Sequence, residues 1–254
     1  ISISKYMKLE KIEPKYTNKS NPRIGLITLG SDFRIEKDFN NLIYGKKIDL
    51  FVNRIHCYNP LTNETLARMA DDITEVTKDI LPNEKLDCVA YGCTSGTVAV
   101  GYKLIKEKIN LAKPETKVTT PITSAIKALK KLNIKNISIF TPYTESINQS
   151  VAKYFKESGI NIKTLHYFDI ASDIDIGKVD KNYLFEVLSN LNLEGSDALF
   201  ISCTALPALD LIYKLEKKLK KIVLSSNQTL IWEALNLVGN DEPVMGYGKI
   251  FEVN

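Results

Sequence analysis

Histidine and tryptophan are scarce in this chain: 254 residues hold two His and one Trp. The four cysteines, Cys57, Cys88, Cys93 and Cys203, show no C-x-x-C or C-x-x-H spacing. So few imidazoles and no closely paired thiols exclude the usual zinc patterns, and no metal site is expected. No apolar run approaches the ~20 residues that cross a bilayer. The opening ISISKYMKLEKIEPKYTNKSNP lacks the apolar centre of a secretory signal. No membrane partner and a cytoplasmic location are therefore expected, and disulfides are disfavoured there. Glycine-rich phosphate loops are missing too, which argues against a nucleotide; the expected cofactor is none. The formal net charge is only +4. Its lysines fall in broken runs such as Lys103 to Lys108 and Lys214 to Lys221, the pattern of solvated helix faces. With no nucleic-acid motif beside them, no nucleic-acid partner is expected.

What the chain does have is alternation. Short β-branched runs read as strands at Arg23 to Leu29, Asp49 to His56, Leu86 to Gly92, Lys117 to Thr120, Asn136 to Thr141, Asn161 to Tyr167, Ala198 to Ser202 and Lys221 to Leu224. Apolar residues at helical spacing predict helices over Asn63 to Asp79, Thr97 to Asn110, Ser124 to Leu132, Glu145 to Glu157, Asp180 to Leu191, Leu206 to Lys218 and Thr229 to Leu237. Strands alternating with helices predict an α/β protein with mostly parallel sheets. Strands as evenly apolar as DALFIS suit sheets covered on both faces.

The two halves resemble each other. CVAYGCTSGT and LFISCTALP each run an apolar strand into a Cys-Thr pair, and Cys93 and Cys203 stand 110 residues apart (203 − 93). His56 and His166 close similar strands at the same offset. Related lobes are the expectation.

In an open α/β sheet, ligands bind beyond the carboxyl ends of the strands, where both of these cysteines fall. Each is expected to sit at a helix N-terminus. Free amides and the helix dipole there would favour a thiolate and lower the thiol pKa below its free value. Thr94, Ser95 and Thr204 add short hydroxyl donors beside them, and Tyr143 closes the strand of FTPYT. Most free cysteines are simply small buried apolar residues. That reading suits Cys57 and Cys88; the matched placement of Cys93 and Cys203 sets them apart as an opposed pair.

At these residues the chain resembles the aspartate/glutamate racemase superfamily, in the branch of maleate cis-trans isomerase, arylmalonate decarboxylase and EutA-like proteins. The motifs are IGLITLGSD, AYGCTSGTVAVG, FTPY, FISCTALPAL and VLSSNQTLIW, spread over residues 23 to 250. The resemblance implies two Rossmann-like lobes with mostly parallel sheets, related by a pseudo-twofold axis, with the active site between them. It divides the chain into an N-terminal arm (1–22), a first lobe (23–122 with 228–254) and a second lobe (123–227).

The resemblance also implies cofactor-independent isomerase or racemase chemistry, free of PLP and metal, on a small carboxylic acid. In the maleate isomerase version Cys93 adds to the double bond and Cys203 supplies and retrieves a proton. In the racemase version one thiolate removes the α-proton and the opposite thiol replaces it. A dedicated decarboxylase of this branch has glycine at the first cysteine, so Cys93 argues against that activity. Asp32 and Asp173 stand where maleate isomerases carry carboxylate-binding asparagines. An ionised aspartate donates no hydrogen bond, so the two acids suggest a nitrogen-bearing substrate, unless they are helix caps or solvated loop acids. Ala205 stands where amino-acid racemases often carry an acid or His. The expected substrate-binding set is Asp32, Thr94, Ser95, Tyr143, Asp173 and Thr204. A homo-oligomer is compatible with this branch. A binding protein without chemistry and a thiol redox protein are the competing classes.

Overall fold

The computed structural model describes residues 7–253. Eight strands run Arg23–Leu29 (β1), Asp49–Ile55 (β2), Cys88–Gly92 (β3), Lys117–Thr119 (β4), Asn136–Thr141 (β5), Asn161–Tyr167 (β6), Ala198–Ile201 (β7) and Ile222–Ser225 (β8). They form two four-stranded sheets of the same order, β2-β1-β3-β4 and β6-β5-β7-β8. Every ladder is parallel. The repeat inferred from the cysteines is thus a repeat of whole sheets. The central strands β1, β3, β5 and β7 are buried almost throughout, as the unbroken apolar runs require.

The helices are Ile35–Ile43 (α1), Asn63–Arg68 (α2), Ile73–Lys78 (α3), Thr94–Val100 (α4), Tyr102–Ala112 (α5), Pro121–Lys131 (α6), Glu145–Glu157 (α7), Asp173–Gly177 (α8), Lys181–Ser189 (α9), Ile212–Leu219 (α10) and Ser226–Leu237 (α11). Several differ from the sequence reading. The single helix expected over Asn63 to Asp79 is α2 and α3 joined by a 3-10 turn at Met69–Asp72. The helix expected from Thr97 starts at Thr94 and breaks at Gly101, whose φ of +89° suits glycine. The helix expected from Leu206 begins only at Ile212, after a turn and a 3-10 segment at Leu209–Leu211. Pro207 lies within that turn and supplies no backbone donor. Helices α1 and α8 were not expected at all.

The placement of α1 matters for the site. Ile35, Phe39, Leu42 and Ile43 share its buried face, and each such side chain contributes about 1.5–3 kcal/mol by leaving water. The same packing anchors the loop from β1, which carries Ser31 and Asp32. Helix α11 packs on β3, β4 and α6, and also contacts β8. Its first residues therefore reach the junction between the two sheets. The arm before β1 has no helix or strand over residues 7–22 and is exposed over 7–21; its first six residues lie outside the described ones. No described helix is long and apolar enough to cross a membrane.

Candidate active site

Cys93 follows β3 directly and is the N-cap of α4. Its sulfur accepts the Gly96 N–H at 3.2 Å and lies 4.0 Å from Ser95 Oγ. Gly96 permits this closeness: a Cβ there would stand 2.8 Å from Cys93 Sγ and 2.9 Å from the Met69 methyl.

Cys203 is seated differently. It follows β7 with a φ of +92°, a region that costs a non-glycine residue about 1–3 kcal/mol. Thr204 to Pro207 form turns, so Cys203 is not at a helix start. Its sulfur instead lies near the Ala205 amide, which favours the thiolate. Its own N–H donates to Ser226 Oγ at 3.0 Å. The same Ser226 oxygen accepts the Thr94 hydroxyl at 2.8 Å. One hydroxyl at the start of α11 therefore ties together both Cys-Thr segments.

Neither thiol has the depressed pKa expected from a helix terminus. Burial dominates and pushes both far up, with further upward pressure from Asp173; the Gly96 and Ala205 amides oppose this only in part. Cys93 is 4% exposed and Cys203 7%. In low dielectric the neutral thiol wins unless a stronger partner favours the anion.

Asp32 is committed to the fold. One carboxyl oxygen accepts the N–H groups of Arg34 and Ile35 at 2.7 and 3.0 Å, starting α1. The other accepts the Thr204 hydroxyl at 2.8 Å. Thr204 and Thr94 thus direct their hydroxyls to Asp32 and Ser226. Ser95, Tyr143 and Asp173 face the sulfurs. The Tyr143 hydroxyl neighbours Cys203 and, less strongly, Cys93, and accepts Ser202 Oγ at 3.2 Å. Asp173, at the first turn of α8, accepts Ser31 Oγ at 2.5 Å. Burial raises its carboxyl to about 6, with Asp32 adding to the rise.

Sequence reasoning missed Ser31, Ser226, Asn227 and Cys57. Asn227 donates from Nδ2 to both Asp38 and the Thr204 carbonyl at 2.8 Å. Ser226 and Asn227 lie inside VLSSNQTLIW, so the signal was present as a motif without an assigned role. Cys57, read as an inert apolar residue, is half-buried and near Ser31, Asp173 and Asp32; burial lifts its thiol to about 11. The buried Tyr91 hydroxyl has no partner among the described residues and lies close to Cys93 and Cys57. Cys88 is buried, as expected, but opens β3 rather than lying mid-strand.

The second lobe closes over the first. Besides Ser31 to Asp173, Arg34 Nη2 donates to the Gly177 carbonyl at 2.9 Å and the Leu61 N–H to the Ala171 carbonyl at 2.8 Å. Phe33 packs so tightly on Gly177 that a Cβ there would meet its ring at 2.6 Å. These contacts hold α8 and the loop before it against the first lobe. Among the described residues no group of three or more His, Cys, Asp and Glu is arranged to hold a metal ion.

Two parallel α/β lobes each bring a Cys-Thr segment to their junction, and Ser226 ties the two together. The chain belongs to the arylmalonate decarboxylase family, whose model matches residues 43–251. It is 25% identical over 178 residues to a maleate isomerase of Alcaligenes faecalis, covering 67% of this chain and 70% of that one. The maleate isomerase Iso from Pseudomonas putida S16 superposes with a TM-score of 0.83 at 20% identity, over 91% of this chain and 98% of that one. A cysteine-to-serine mutant of the Nocardia farcinica maleate cis-trans isomerase, with a covalently bound succinylcysteine intermediate, gives the same TM-score at 19% identity and the same coverage. Together they make this chain an isomerase of that family.

Proposed function

We propose that this protein catalyses cis-trans isomerisation of a small cis-alkenoic acid of the maleate type, by addition and elimination at Cys93. The observation carrying this reading is the opposed pair of cysteines, one from each sheet, in an enclosed site. Supporting it is the structural relative whose cysteine carries a covalent succinyl group. Cys93 reacts as thiolate and Cys203 as thiol. Because burial disfavours the anion, Cys93 gives its proton to solvent before α8 closes. The S–C bond forms at one alkene carbon, and the π pair moves to the other carbon, beside a carboxylate. That carbon takes the proton of Cys203. The new single bond rotates. Cys203, now the thiolate, removes a proton from the same carbon; the alkene re-forms and Cys93 leaves. No electrons are gained or lost overall. Ser95 and Tyr143 offer hydroxyl donors to the carboxylate.

Purified protein with maleate at about pH 6 under reducing conditions, followed by proton NMR, tests this reading. Fumarate is expected from the wild type. Cys93→Ser and Cys203→Ser should each lower the rate by at least about a hundredfold, the scale of losing a nucleophile or its proton partner. Turnover that survives Cys93→Ser sinks the addition mechanism.

A further inference from the structure

A buried carboxyl with no ion pair among the described residues lies near enough to the two sulfurs to act on both thiols. Asp173 is 2% exposed, and its side chain's only donor among the described residues is the Ser31 hydroxyl. The titratable groups that face it are all acids: Asp32 from the β1–α1 loop, Cys57 from the end of β2, Cys93 from the β3–α4 junction and Cys203 from the end of β7. Among the described residues no basic side chain bonds to Asp173, although the buried Nε of Arg34 has no partner. Lys178 pairs with Asp175 on the outer side of α8. Arg34 donates to the Gly177 carbonyl. Arg54 donates to the carbonyls of Leu29 and Asp32 and pairs with Glu36.

Such a carboxyl discriminates by charge. Ionised, it repels a second carboxylate placed against it, which in a partly desolvated site costs on the order of a hundredfold in affinity. A carboxamide N–H turns the same oxygen into a favourable acceptor. We propose that Asp173 makes this isomerase select a cis-alkenoic acid whose second end carries a hydrogen-bond-donating nitrogen, the half-amide of a cis-enedioate, over the dicarboxylate. The substrate carboxylate lies toward Ser95 and Tyr143, the alkene between Cys93 and Cys203, and the amide toward the oxygen of Asp173 that Ser31 leaves open. This inference rests on the isomerase reading and adds the identity of the substrate's second end. It also carries a pH dependence. Asp173 titrates at about 6, and below that pH its acid form donates to a carboxylate, so the discrimination relaxes.

The test compares maleamate with maleate, by initial NMR rates against enzyme-free blanks, for wild type and Asp173→Asn. At about pH 8 the wild type should show a kcat/KM for maleamate at least about tenfold above that for maleate, narrowing at about pH 5.5. Asp173→Asn should lose the preference and its pH dependence, and raise kcat/KM for maleate about tenfold. A wild type that prefers maleate at about pH 8, or an unchanged ratio in Asp173→Asn, overturns the role of Asp173 and leaves the isomerase standing. If neither protein isomerises either compound while both remain folded, the isomerase reading falls and this inference with it.

Discussion

Ser226→Ala removes one oxygen and disconnects two loops. Ser226 is fully buried. Its oxygen accepts the Cys203 N–H at 3.0 Å and the Thr94 hydroxyl at 2.8 Å. A buried donor left without a partner costs about 1–3 kcal/mol. The Thr94 hydroxyl can rotate toward another acceptor, whereas the Cys203 amide cannot, so the total should be about 2–4 kcal/mol. For a chain of this size each kcal/mol moves the melting temperature by about 2–4 °C, and a drop of about 9 °C is expected. Function should suffer more than stability alone explains. The Cys203 backbone holds a φ of +92°, and without the Ser226 anchor it relaxes toward an ordinary conformation and moves its sulfur. A displacement near 1 Å costs about a hundredfold in rate. Differential scanning fluorimetry and kcat, measured on the same preparation, check both numbers. A melting temperature within about 2 °C of wild type together with unaltered turnover refutes the assignment of Ser226 as the tie between the two cysteine loops.

Three further expectations follow from other contacts. Gly96→Ala drives a methyl against Cys93 Sγ; the protein should fold with about 1–3 kcal/mol less stability and lose nearly all turnover, and an active variant would show that the sulfur can be reseated. Gly177→Ala pushes the ring of Phe33 away from α8 and loosens the closure, so iodoacetamide should label Cys93 and Cys203 about fivefold faster; labelling at the wild-type rate would mean that α8 does not gate the site. Asp173 titrates at about 6 in the folded chain against an ordinary value of 3.8. The folded state therefore holds a proton that the unfolded state has lost, and stability falls as pH rises through that window, by about 3 kcal/mol at 1.36 kcal/mol per pK unit. Urea titrations of Asp173→Asn should lack this slope, and parallel wild-type and variant profiles would contradict the burial of an uncompensated acid.

The strands were legible because each is a compact apolar run, and the matched Cys-Thr pairs pointed to the duplicated sheets. Helices were harder wherever tertiary contacts set their ends. The apolar face of α1 is present in IEKDFNNLI, yet a polar Glu-Lys-Asp stretch and a central Asn pair blur its period. The segment after Cys203 reads as helical from Leu206, but Pro207 and a 3-10 turn delay the helix to Ile212. That delay removed the helix terminus from Cys203. The thiol pKa values could not be read from local sequence either, because a helix dipole is a local property and burial is a property of the whole fold. The same holds for Asp32. The resemblance to maleate isomerases suggested a substrate contact, but three donors from two different loops bond to its two oxygens.

The unequal seats of the two cysteines have a consequence for the history and design of the site. The sheets are copies in topology, but Cys93 caps a helix in extended backbone while Cys203 sits in a turn with positive φ. The two halves share a scaffold and differ at the working end. The two thiols need not be interchangeable, because in a chiral site each meets the substrate from its own side. A reaction with distinguishable ends gives each copy its own task. The route to new activities in this scaffold therefore runs through the short turn after β7, where Thr204 to Pro207 can be rebuilt without touching either sheet.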